Sequence, residues 1–242
     1  MNSVPLKAMV LAAGLGKRMR PITDTMPKPL VKIAGKPMID WGLDALANAG
    51  VETAVVNVHY LPDQLVAHLA SRTKPAIEIS DERDALLESG GGIVRALPRL
   101  GPAPFFVLNA DTFWIDNADN NLVRLGLAWN DAEMDILLML ARLDQATGHS
   151  GGTDFLLASD GRLARAKGDP KGLIYAGAAI VHPRIFDHAP AGAHSLNAEF
   201  DTALAAGRLY GMVIDGDWIT VGTPDAIAPA EAAVARAVAK SQ

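Results

Sequence analysis

Four cations crowd the stretch MVLAAGLGKRMRPITDTMPKPL, from Met9 to Leu30: Lys17, Arg18, Arg20 and Lys28. The first three come just after Gly14 and Gly16, which follow an unbroken apolar run from Ala8 to Ala13. Glycines lack a Cβ, so backbone N–H groups can turn toward an anion, and lysine and arginine add full charges to those partial ones. The chemistry on offer is the holding of a polyphosphate. Lys28 stands between Pro27 and Pro29. A residue before proline is pushed toward extended geometry, so a stiff, extended backbone is expected at Lys28. A second chemical candidate is Asp111, which follows the apolar segment Phe105 to Asn109. An acidic residue at the carboxyl end of a central strand in an open α/β sheet points into the ligand crevice, although the same residue type also caps turns.

Two common phosphate-binding signatures are excluded. A P-loop needs Ser or Thr after its lysine, where Arg18 follows Lys17; the dinucleotide fingerprint needs a third glycine where Met19 stands.

The elements that must position these residues alternate along the chain. Strands are expected at the Ala8–Ala13 run, Thr53 to Tyr60, Ala76 to Ser80, Phe105 to Asn109, Asp135 to Leu143, Leu173 to Val181 and Leu209 to Asp215. Helices are expected from Pro37 to Ala49, with Gly50 as the stop, from Asp63 to Ser71, and from Asn197 to Ala206. GGTDFLLASDGRLAR reads as a hairpin turning at Asp160-Gly161. The alanine-rich C-terminal part reads as a helix with Thr223 as N-cap and a break or kink near Pro229. In LLESGGGI, Ser89 is placed to cap a helix starting among Gly90, Gly91 and Gly92. Three glycines cost a helix about 1 kcal/mol each in its interior, so something is expected to approach that backbone closely. The alternation predicts a single α/β domain over residues 1–242, Rossmann-like, with a mostly parallel central sheet flanked by helices and a small antiparallel hairpin.

GLGKRMRPIT with its downstream PKPL resembles the signature of the sugar-1-phosphate nucleotidyltransferases, GxGxRxxPxT followed by PKPL. The resemblance runs through most of the chain and is nearest the group that uridylylates N-acetylmuramate 1-phosphate. It implies that the glycine loop, here Ala13, Gly14, Gly16 and Lys17, wraps a nucleoside triphosphate, and that Arg18 and Lys28 support the reacting phosphates. It further implies that Ser89, Gly90 and Gly91 lie against the nucleobase and that Asp111 binds Mg2+. Gly177, with Tyr175 and Lys171, would lie near the sugar; these two side chains also read as ordinary surface residues. Relatives carry Trp-x-Asp where this chain has Trp218-Ile219-Thr220, so a neutral hydroxyl replaces a second metal-binding carboxylate. Asp217 is the nearby substitute, although three residues along a strand put it about 10 Å from Thr220. Guanylyl transfer to mannose 1-phosphate is the rival activity, and a catalytically silent nucleotide or sugar sensor the rival of another class. No hexapeptide repeat follows, so no β-helix domain is expected.

Composition narrows the partners. The 242 residues carry 22 basic and 27 acidic side chains, a net charge of −5, which argues against nucleic acid. There is no cysteine, which excludes disulfides and thiol chemistry. No apolar run approaches the roughly 18 residues of a membrane span, and a cytoplasmic protein is expected. None of the six histidines shows metal-ligand spacing; only His59, after a strand, is placed to border a ligand.

Overall fold

β1, Lys7–Leu11, takes up most of the apolar run and is buried on both faces, as expected of a strand covered by helices on either side. The computed structural model describes residues 4–240. Ala8 and Val10 face one layer with Ile39, Leu43 and Leu46, while Met9 faces the opposite layer with Ile93, Ala96 and Leu100. This period of two in a strand against the helical spacing of its neighbours creates the three-layer core.

Six further strands join β1 in one sheet: β2 (Thr53–Val58), β3 (Ala76–Asp81), β4 (Phe105–Asn109), β6 (Ile136–Ala141), β9 (Ile174–Val181) and β10 (Leu209–Val213). Their order is β10-β6-β9-β4-β1-β2-β3. β1 pairs in parallel with β2 and β4, β2 with β3, and β6 with β10, while β9 runs antiparallel to both β4 and β6. Helices α1 (Met38–Asn48), α2 (Pro62–Leu69), α3 (Glu88–Leu100), α4 (Asn121–Ala128) and α5 (Asn197–Ala205) connect or flank the strands. β5 (Thr112–Asp116) pairs antiparallel with β11 (Gly216–Thr220) in a small second sheet, and β7 (Phe155–Leu157) with β8 (Leu163–Arg165) in the predicted hairpin. Among the described residues no helix is long and apolar enough to cross a membrane.

Three local expectations are corrected. Lys28 is not extended: Lys28–Leu30 form one 3-10 turn, closed by bonds from the Leu30 and Val31 N–H groups to the Pro27 and Lys28 carbonyls. The turn's backbone bonds outweigh the steric bias against a compact residue before proline. Thr223 precedes a short 3-10 turn, Pro224–Ala226, without a side-chain cap. Pro229 does not break the final helix α6, Ile227–Lys240, because it falls in the first turn, where no N–H has an intrahelical partner to lose.

The triple glycine also has a different explanation. Helix α3 starts at Glu88, so Ser89 is not its cap; its hydroxyl instead accepts from the Leu196 N–H at 2.8 Å. Gly90 and Gly91 both donate their N–H groups to the His194 carbonyl. A Cβ on Gly90 would stand 2.5 Å from the His194 ring, one on Gly91 would fall on the Gly192 carbonyl oxygen, and one on Gly92 would meet Asn57 and Glu82 at 2.8 Å. What approaches the glycines is the protein itself: a strap running from Gly192 into α5 at Gly90 and Gly91, and Asn57 with Glu82 at Gly92. Gly91→Ala is expected to destabilise the fold by roughly 1–3 kcal/mol through overpacking against backbone that cannot yield. Gly152→Ala, with open space at its Cβ, is the neutral control. Chemical denaturation of both variants checks this.

Candidate active site

The loop leaving β1 is held from below. The Ala12 N–H donates to Asn57 Oδ1 at 2.7 Å; Asn57, on β2, donates from Nδ2 to Glu82 Oε1 at 2.8 Å. Glu82 Oε2 in turn accepts from the Leu87 N–H at 3.4 Å, one residue before α3. Glu82 is fully buried, and burial pushes its carboxyl above the ordinary value of 4.5, with the Asn57 amide opposing. This chain ties the glycine loop to the start of α3 through two parallel strands.

Above it, Gly16 adopts φ +60°, and a Cβ there would stand 3.1 Å from the Lys28 Cβ, so the loop and the PKPL turn close on each other. Lys28 Nζ lies 2.6 Å from Asp111 Oδ2 and its side chain is only 11% exposed. The sequence-predicted lysine and aspartate, 83 residues apart, therefore meet at the carboxyl ends of β1 and β4. They line a cavity of about 350 Å³ with Ala12, Ala13, Gly14, Asn57, Glu88 and Ser89.

A second cavity, of about 280 Å³, shares Leu11, Ser89 and Asn109 with the first and continues the crevice toward Asp154, Arg165, Tyr175 and Phe200. Tyr175 packs edge-on against Phe200 with ring centroids 5.4 Å apart. Its hydroxyl is buried with no hydrogen-bond partner, and burial pushes its pKa up. Gly177 supports the crevice from beneath: at φ +76° in the irregularity of β9, a Cβ would stand 2.8 Å from Thr112 Oγ1 and 3.2 Å from Asn109 Nδ2.

Other predicted positions fall outside the cavities. Lys17 and Arg18 occupy an exposed 3-10 turn; neither has an ion-pair partner among the described residues, and the Arg18 guanidinium lies over Gly222. Gly90 and Gly91 are buried under the strap. Lys171 is exposed in the turn whose backbone is held by Asp169. His59 is not at the ligand face; its Nδ1 pairs with the Glu82 carbonyl at 2.7 Å. Asp217 is exposed and opposite Ile115 in the β5–β11 ladder, whereas Thr220 is opposite Thr112, with the next N–H, that of Val221, bonded to the Asp111 carbonyl at 3.2 Å. Thr220 and not Asp217 is the β11 residue at the Asp111 end.

Asn57, Glu82, Asn109 and Arg165 escaped sequence reasoning. Asn57 left a signal, an amide inside the apolar strand TAVVNV. Arg165 left none, because its place depends on how the β7–β8 hairpin folds over α5.

A family profile described as "Nucleotidyl transferase" matches residues 7–148. The chain belongs to the nucleotidyl transferase family. It is thus an enzyme of the transferase class, and the crevice occupies the region its fold reserves for ligands, the carboxyl ends of parallel strands. This nucleotidyl transferase is 46% identical to the N-acetylmuramate alpha-1-phosphate uridylyltransferase of Caulobacter vibrioides over 98% of this chain and 100% of that protein. It is 30% identical to mannose-1-phosphate guanylyltransferase 1 of Arabidopsis thaliana, over 90% of this chain and 62% of that protein. Among solved structures, UDP-glucose pyrophosphorylase complexed with UDP-glucose shares the fold with a TM-score of 0.78 at 18% identity, over 95% of this chain and 98% of that one.

Glu82 makes the nucleotidyl transferase's stability pH-dependent in a defined direction. With its folded pKa raised, the folded protein keeps the Glu82 proton to higher pH than the unfolded chain does. This contribution to stability is present below 4.5 and is lost as pH rises through the raised value. Denaturation midpoints over a pH series are expected to fall more steeply across that window for the native protein than for Glu82→Gln.

Proposed function

We propose that this enzyme transfers the uridylyl group of UTP to N-acetylmuramate 1-phosphate, releasing pyrophosphate, in the cytoplasm. The observation that carries the reading is the meeting of Lys28 and Asp111 in the glycine-loop cavity, which adjoins the Tyr175 cavity through Leu11, Ser89 and Asn109, a geometry suited to joining two phosphorylated substrates. The identity of the acceptor and the base follows the full-length likeness to the Caulobacter vibrioides uridylyltransferase, which exceeds the likeness to the guanylyltransferase in both identity and coverage.

In the proposed reaction a phosphate oxygen of the sugar 1-phosphate attacks the α-phosphorus of UTP. A new P–O bond forms as the bond between the α-phosphorus and the bridging oxygen breaks, and pyrophosphate carries away the electron pair. The nucleophile is already ionised near neutral pH, so no general base is needed. Catalysis then consists of aligning two polyanions and neutralising their charge. Lys28, nearly buried and fixed by Asp111, places one positive charge in the glycine-loop cavity without having to reorganise. The Ala13–Gly14 backbone borders the triphosphate, and Lys17 and Arg18 draw it in from the rim. Ser89 touches both substrates' cavities and faces the nucleoside.

The residues present fit a magnesium ion, though sparsely. Lys28 takes only Oδ2 of Asp111, and among the described residues no cluster of three carboxylates, histidines or cysteines could hold a metal alone. Magnesium accepts one carboxylate completed by substrate phosphates and water, with Thr220 contributing at most through water. Bound there, it would supply Lewis-acid charge neutralisation.

Pyrophosphate release measured with a panel of triphosphates and sugar 1-phosphates tests the activity. UTP with N-acetylmuramate 1-phosphate is expected to be the preferred pair; preference for GTP with mannose 1-phosphate establishes the rival, and no release with any pair leaves a silent sensor. Lys28→Ala is expected to lower turnover on the order of a hundredfold, about 3 kcal/mol, with a native-like melting curve. Arg18→Ala is expected to lose less, because its exposed charge is screened until substrate binds. Thr220→Asp should saturate at lower magnesium than the native enzyme, read from activity titrations. An unchanged requirement would remove Thr220 from the metal site.

A further inference from the structure

Arg165 is the cation of the Tyr175 cavity and does not line the cavity that holds Lys28 and Asp111. It is held in place. Nε and Nη2 donate to Asp201 Oδ1 at 3.1 and 2.7 Å, Nη2 also donates to Asn197 Oδ1 at 3.1 Å, and the guanidinium lies 4.8 Å from the Phe155 ring centroid. Asp201 and Asn197 both come from α5, so a helix and a hairpin strand set the plane of the fork. Nη1 has no partner among the described residues. The other charged side chain of this cavity, Asp154, is engaged through Oδ2 with the Tyr175 N–H at 2.8 Å.

Asp201 already compensates the Arg165 charge, and the reacting phosphates belong at Lys28 and Asp111, so neither accounts for the donor edge left open at Nη1 further along the crevice. A sugar bearing only hydroxyls does not account for it either, since an amide would serve those equally well. A sugar with a second anion does. N-acetylmuramate carries one, the carboxylate of its lactyl ether, ionised at neutral pH like an aspartate side chain. We propose that Arg165 reads this carboxylate through its free Nη1 edge and is the residue that separates N-acetylmuramate 1-phosphate from the otherwise identical N-acetylglucosamine 1-phosphate. The fork is already stacked and oriented, so little rotamer freedom is lost on binding, and a charge-assisted bond is roughly twice as strong as a neutral one.

This inference rests on the proposed acceptor, and the test separates the two. Ratios of kcat/KM for N-acetylmuramate 1-phosphate over N-acetylglucosamine 1-phosphate, with UTP, are measured for the native enzyme, Arg165→Gln and Arg165→Lys. The native ratio is expected to favour the carboxylate-bearing sugar, to fall about tenfold or more in Arg165→Gln and to fall less in Arg165→Lys, which keeps the charge without the fork. On the native enzyme the methyl ester of the lactyl carboxylate should lose the same advantage, a result that does not depend on a variant folding. If the native enzyme prefers the muramate sugar while both variants or the ester keep that preference, Arg165's role is overturned alone. If the native enzyme rejects the muramate sugar, the acceptor assignment and the carboxylate site fall together.

Discussion

A buried run of polar groups, from the Ala12 N–H through Asn57 and Glu82 to the Leu87 N–H, decides where the walls of the crevice stand. In this interior each group is costly unless partnered, and each partner is supplied by a different segment: the loop after β1, strand β2, the end of β3 and the approach to α3. The segments must therefore be registered against one another before the network closes. Gly92 makes room for it, since a side chain there would displace both Asn57 and Glu82. The glycine loop is free to offer backbone to a ligand because its base is already held by an amide.

Charge is distributed in two ways along the crevice. Lys28, nearly buried, pairs with the partly exposed Asp111 in a geometry set by the PKPL turn and by the end of β4, so the positive end is oriented before any substrate arrives. Lys17 and Arg18 are exposed on a short turn, where their charges act over distance and are damped by salt. Fixed charge serves alignment, and exposed charge serves encounter.

The strand and helix alternation was readable because β1 and its neighbours are apolar runs bounded by Gly, Pro and polar turns; Lys28 and Asp111 were readable as separate candidates because each carries a local motif, but not as an ion pair, which only the folded chain makes. Other features were not readable, for specific reasons. The 3-10 turn at Lys28 won over the preference of pre-proline residues through two backbone bonds closed by tertiary placement. The glycines at 90–92 advertised a close approach but could not say by what; for Gly90 and Gly91 the answer lies about a hundred residues further on, in the strap around His194, and for Gly92 in Asn57 and Glu82. Arg165 and Asn197 come together only when a hairpin and a helix pack, a contact with no trace in local sequence. The reversed β9 was legible as a strand but not in its direction, which depends on the path of the preceding hairpin.

The strap has a consequence for how such an enzyme diversifies. Its residues from Gly192 to Leu196 lock onto the first turn of α3, beside the cavity of Lys28, and it continues directly into Asn197 and Phe200 in the cavity of Tyr175. A substitution that reshapes the wall of the Tyr175 cavity at Asn197 or Phe200 acts on the segment on which the first turn of α3 is seated. On the proposed reading of the two cavities, choice of base and choice of sugar are mechanically linked, and a lineage acquiring a new acceptor would have to readjust the glycine helix in the same step.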